Sequence, residues 1–118
     1  MLQRIVEAIR ASTRIEVLLL VETNHGHLYL HRVSVCGGEP EAVAKTLKEV
    51  TGLTATFVPE VPALERDGKT RQYWVARGQQ PRGSQWVGFT EGPAFSGVQV
   101  IPHRNLYHAL KQLQQLPQ

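Results

Sequence analysis

The chain is poor in cysteine. Cys36 stands alone among 118 residues, so no internal disulfide can form, and a reducing compartment is the natural setting. Long apolar runs are also missing: nothing approaches the roughly 18 consecutive apolar residues needed to cross a bilayer. The opening Met1-Leu2-Gln3-Arg4 leads into an amphipathic stretch instead of a secretory hydrophobic segment. Together these absences argue against membrane insertion and lead us to expect a cytoplasmic protein. Phosphate-binding glycine loops, dinucleotide fingerprints, Ser/His/Asp patterns and the CxxC or HExxH spacings of metal sites are absent too. What remains is 42% hydrophobic and 19% charged, ordinary for one globular core. We expect a single domain over residues 1–118.

Apolar periodicity supplies the elements. Leu2, Ile5, Val6 and Ile9 recur at helical spacing and predict a short helix over 2–11. From Val17 to Val21 every residue is apolar, as expected of a strand covered on both faces. Turn chemistry at Thr23-Asn24-His25-Gly26 leads to a partner strand over 27–35. Pro40 suits a first helical turn, Glu39 and Glu41 suit the positive end of a helix dipole, and Gly52 suits its stop. The expected buried stripe of that helix is Ala42, Val43, Leu47 and Val50. Residues 54–61 are rich in β-formers, but Pro59 and Pro62 confine them to an edge or a bulge. Asp67-Gly68 predicts a hairpin turn, with 70–76 as the return strand. Short strands follow at 85–89 and 97–101. A final helix from about His103 should bury Leu106, Leu110 and Leu113. The order defines an α/β class, with helices packed on a mixed sheet.

Charge is unevenly placed. Arg66, Lys69, Arg71, Arg77 and Arg82 are opposed within their stretch only by Asp67, so a local charge of +4 exceeds the whole-chain +3. Such a patch suits phosphates, nucleic acid or an acidic partner. The plainer account is a solvated basic hairpin. Tyr73, Trp74 and Trp86 lie close by in sequence and in a nucleic-acid binder could stack bases, whereas the plainer account puts Trp74 in the core, with Tyr73 and Val75 on the opposite face. His25, His27 and His31, with Cys36, have the composition of a soft-metal site without its spacing. Exposed strand histidines and a spectator thiol explain them better. His103, Arg104 and His108 read as solvent-facing positions.

Residues 37–53, GGEPEAVAKTLKEVTGL, resemble the helical half of the box that defines the Nudix family. Leu53 and Gly52 match its closing aliphatic residue and glycine, and Leu47 its central aliphatic. Ala42 sits where alanine is frequent, and Lys45 stands for the arginine. Thr46 and Val50 occupy two of the glutamate positions, leaving Glu49. The loop ahead of the helix is shorter than the family's, whichever glycine opens it. The resemblance implies a Nudix-like α/β/α sandwich. It also implies loss of the centre that holds a divalent metal against a diphosphate, because one carboxylate is little for a doubly charged ion.

The leading expectation is therefore a non-catalytic binding or interaction module for a nucleotide, a phosphorylated ligand, RNA or a protein partner. Arg66, Lys69, Arg71, Arg77, Arg82 and Trp86 are its candidate ligand-binding residues, and it needs no cofactor. A homodimer stays open. The alternative is a divergent hydrolase of a nucleoside diphosphate derivative, using Mg²⁺ or Mn²⁺. Glu49 would be its metal ligand and catalytic remnant, helped by Glu22, Glu39 or Glu41. A third reading is a small α+β interaction protein whose helix matches the box by chance.

Overall fold

The computed structural model describes residues 14–36, 39–61, 64–66, 69–88, 99–101 and 103–116. The helix expected over 2–11 and the turn expected at 67–68 lie outside the described residues.

Strand β1 (Arg14–Glu22) is central. Its neighbours are β2 (Leu28–Cys36), antiparallel, and β5 (Lys69–Arg77), parallel. Flanked on both edges and covered on both faces, β1 needs the continuous apolar run it carries: Val17 to Val21 are all buried. The turn into β2 closes with Thr23 N–H on His27 O and Gly26 N–H on Thr23 O, both 2.9 Å. Gly26 takes the positive φ that this reversal requires.

Helix α1 (Pro40–Thr51) follows this hairpin. Pro40 opens it, and the backbone carbonyl of Glu39 accepts from Val43 N–H at 3.1 Å. Gly52 closes it at φ 75°, its N–H on Lys48 O, as a left-handed C-terminal residue does. Short strand β3 (Thr56–Phe57) and then β4 (Leu64–Arg66) pair end to end along the outer edge of β5. This places 54–61 at a sheet edge, as its prolines require. Strand β6 (Gln85–Gly88) pairs with β2, β7 (Gln99–Val100) with β6, and helix α2 (His103–Gln115) ends the described chain. The strand order is β3-β5-β1-β2-β6-β7. This is a mixed sheet of the α/β class.

Alternation along β1 divides the interior in two. Leu18 and Leu20 join Tyr73, Val75, Leu30 and α2's Leu106, Ala109 and Leu113. Val17, Leu19 and Val21 join Trp74, Val33, Val35 and α1's Val43 and Leu47 on the other face. Each helix thus covers one face of the sheet, in three layers. Trp74 is core, as alternation predicts, and packs its ring against Phe57 with centroids 5.4 Å apart.

The buried stripe of α1 differs from expectation. Val43 and Leu47 are buried and Ala44 packs beside them, but Ala42 is exposed and Val50 is 62% exposed. Val43 and Leu47, one turn apart, already fill the face turned to β2 and β3. Val50, seven residues on from Val43, keeps nearly the same azimuth but lies in the last turn, beyond the part of that face the sheet covers. On α2, Ala109 joins Leu106 and Leu113 in the core, with Leu110 only partly buried.

Candidate functional site

The last turn of α1 does more than end a helix. Thr51 turns its hydroxyl back onto Leu47 O at 2.6 Å and accepts Leu53 N–H at 3.1 Å. The chain is thereby folded over at Gly52, and Leu53 is carried back toward the sheet. There its side chain comes so close to Gly78 that a Cβ at 78 would collide with it. Residues 79–82 leave the end of β5 and face this turn. Between them lies an open cleft of about 530 Å³, within the usual range for small-ligand sites. Residues 50–53 form one wall, 79–82 the other, and His31 of β2 also lines it.

The chemistry of this lining is specific. Arg82 is exposed and is its charged side chain. His31 is half-buried, and desolvation lowers its pKa below the ordinary histidine value, so the imidazole is held neutral at physiological pH. Gln79 and Gln80 supply exposed amides, and Val50, Leu53 and Pro81 supply apolar surface. Among the described residues, no carboxylate lines the cleft.

Two aromatic side chains outside this lining share its side of the sheet. Val33 and Val35 of β2 face the α1 side, so by alternation Tyr29 and His31 face that side too. Trp86 stands directly opposite Tyr29 in the β2–β6 ladder, and cross-strand partners share a face. Trp86, 54% exposed, therefore belongs to the same side of the sheet as the cleft.

The residues singled out from sequence are divided by the sheet. Tyr73 and Val75 face α2, so Arg71 and Arg77, of the same parity on β5, face away from the cleft. Arg71 donates to Glu16 at 3.0 Å. Arg77 donates to Glu22 at 3.1 Å and, through its two terminal nitrogens, to Leu116 O and Leu113 O at the end of α2. Arg66 and Lys69 are register partners in the β4–β5 backbone ladder. Arg82 and Trp86 lie on the cleft side. Gln79 and Gln80 were not among the sequence candidates, while His31 was weighed there only as a metal ligand and Val50 only as a box and stripe position. The signal for His31 was there in its shared parity with Val33 and Val35; for the glutamines it was only their place at a strand end.

The box-like positions fall on α1 as follows. Glu49 is exposed, Thr46 spends its hydroxyl on Ala42 O at 3.0 Å, and Val50 lines the cleft. Glu22 cannot join Glu49, because it lies on the α2 face in an ion pair with Arg77. Glu39 and Glu41 stand at the opposite end of α1 from the cleft. Among the described residues, no three His, Cys, Asp or Glu side chains are grouped to hold a metal ion. These residues do not fit an Mg²⁺ or Mn²⁺ centre. His25 and His27 have ring centroids 6.4 Å apart, while Cys36 is exposed and of opposite parity to His31, so the four do not converge.

Fold and site together define a three-layer α/β protein with a cleft at a helix C-terminus whose described lining holds one guanidinium and no carboxylate. No family model and no curated protein matches the sequence. Among solved structures, the chain is similar to a crystal structure from Sinorhizobium meliloti 1021 described as a "putative oxidoreductase". The TM-score is 0.44 at 18% identity, with 94% of this chain and 43% of that one covered. The chain thus spans less than half the length of that neighbour. No helix among the described residues is long and apolar enough to cross a membrane.

Proposed function

We propose that the chain is a Nudix-like binding module that takes a small ligand in the cleft between α1 and residues 79–82 and lacks a hydrolytic centre. One observation carries the reading: the segment resembling the box does border a cleft, but it turns Val50, Thr51 and Gly52 toward it and leaves Glu49 outside the lining. A hydrolytic site of this family would need carboxylates at the cleft to hold a metal against a diphosphate. This lining instead has amides, a neutral imidazole and one guanidinium. The position of α1 after the β1–β2 hairpin also supports the Nudix resemblance over a chance match of the helix.

A thermal-shift panel of nucleotides and phosphorylated metabolites, run with and without Mg²⁺ or Mn²⁺, tests the reading. Ligands that bind the native state raise the melting temperature by mass action. The expected result is a metal-independent shift that is lost in Arg82→Gln and kept in Glu49→Gln. Metal-dependent turnover of any nucleoside diphosphate derivative that disappears in Glu49→Gln would overturn it in favour of the hydrolase.

A further inference from the structure

Three features of the cleft limit what it can hold. The first is charge. Arg82 is the charged side chain of the lining, and burial keeps His31 uncharged at neutral pH. The last residues of α1 form one wall, and a helix C-terminus carries partial negative charge. Lys48 offsets part of this by donating to Gly52 O at 3.2 Å, which commits that ammonium. A ligand with several negative charges would meet one guanidinium and the negative end of the helix. A ligand with one negative charge is matched.

The second feature is the aromatic surface. Val50 and Trp86 are two of the three large apolar side chains exposed among the described residues, and both lie on the cleft side. Tyr29 and His31 are two positions apart, about 7 Å along the strand, and Trp86 is about 5 Å across from Tyr29. The backbones of Trp86 and His31 are therefore on the order of 9 Å apart on one side of the sheet, a span one small molecule can bridge. The third is polarity. Gln79 and Gln80 each offer a donor pair and an acceptor at the rim, suited to the edge of a hydrogen-bonding ring, whereas the Thr51 hydroxyl is already occupied.

We propose that the cleft binds a planar heteroaromatic ring bearing a single negative charge, the ring stacked on Trp86 and the anion paired with Arg82. This rests on the binding-module reading and narrows it. Such a ligand has two sources, a cyclic nucleotide or a heteroaromatic carboxylate. A polyphosphate and a nucleic-acid strand are disfavoured by the same charge count. Arg71 and Arg77, which could have tracked a strand's phosphates, are on the other face in ion pairs.

The two tryptophans make the test direct. Trp74 is buried and Trp86 exposed, so iodide-accessible, red-edge emission reports Trp86. The full chain is titrated with 3′,5′-cyclic AMP and with nicotinate, beside their uncharged counterparts adenosine and nicotinamide, and with ATP and oligothymidylate. Saturable quenching and protection from iodide are expected with one or both monoanions, and the tighter binder identifies the source. The uncharged counterpart should bind about tenfold more weakly, and Arg82→Gln should cost about the same for the monoanion only. Trp86→Leu, followed by calorimetry, should weaken binding about tenfold. Unchanged circular dichroism shows that both variants fold.

Equal affinity for charged and uncharged rings overturns the proposal, as does tighter binding of ATP or salt-sensitive binding of oligothymidylate. Should ATP bind while neither monoanion does, the binding-module reading survives and this narrower one falls. Silence from every ligand, here and in the thermal-shift panel, removes both.

Discussion

Replacing Arg77 should cost stability, and the amount can be worked from its contacts. The guanidinium makes three hydrogen bonds, to Glu22 on β1 and to the carbonyls of Leu113 and Leu116 at the end of α2. The ion pair is partly wet, with side chains 29% and 31% exposed, so it contributes about 0.5 kcal/mol. Each charge-assisted bond to a carbonyl contributes about 1 kcal/mol net after discounting for water, and the cation complements the helix dipole. Arg77→Met keeps the aliphatic stem and should lose about 2–3 kcal/mol. For a chain of 118 residues that is a drop in melting temperature of roughly 6–12 °C. Arg77→Lys should lose about 1–2 kcal/mol, because one ammonium cannot reproduce the planar fork. Urea unfolding followed by far-ultraviolet circular dichroism measures both. If Arg77→Met unfolds within about 0.5 kcal/mol of the parent and instead abolishes ligand binding, Arg77 belongs to the binding surface and the structural assignment fails.

Leu47 is fully buried against the sheet, so Leu47→Ala should destabilise by about 2–5 kcal/mol in the same assay; a loss below about 1 kcal/mol would mean α1 is not packed as described. Gly78 has φ 158°, which a side chain rarely adopts, and a methyl there meets the end of the Leu53 side chain. Gly78→Ala should therefore lower the melting temperature as well as alter ligand affinity, and an unchanged melting temperature would mean that this backbone and contact are not as described. His31 has its folded pKa lowered by burial, so the unfolded chain binds its proton more readily. Stability attributable to His31 is flat above about pH 6.5 and declines as pH falls through the folded pKa. His31→Gln should flatten that part of the pH profile, and an unchanged slope would assign it elsewhere.

Much of the architecture was readable in the chain because it is enforced locally. Five apolar residues in a row could only be a strand covered on both sides, and Pro40 and Gly52 bracket α1 through backbone properties that do not depend on neighbours. The stripe of α1 was less readable. Helical periodicity admitted Ala42 and Val50, but only the partner surface decides how far around and along the helix the buried face runs: it takes Val43, Ala44 and Leu47 and stops short of Val50 in the last turn, which lines the cleft. The basic residues misled for a related reason. Their clustering in sequence says nothing of faces, and alternation sends Arg71 and Arg77 to carboxylates and carbonyls far away along the chain. Trp86 and Arg82 were found by composition alone. His31 became a site residue only once the turn after α1 was seen to fold Leu53 back toward the sheet.

The two ion pairs between β1 and β5, Glu16–Arg71 and Glu22–Arg77, have the same sequence separation of 55 residues, which is the offset of the parallel ladder itself. They sit near its two ends and on one face. A slip by a single residue would send one member of each pair to the opposite face, leaving Arg71, Arg77 and Glu22 without these partners, while Glu16 would keep Arg32 of β2. Parallel strands rich in aliphatic residues have little else to tell one alignment from the next, since valine and leucine pack acceptably in several. Charge at both ends therefore acts as a key for alignment, penalising wrong pairings more than it strengthens the right one.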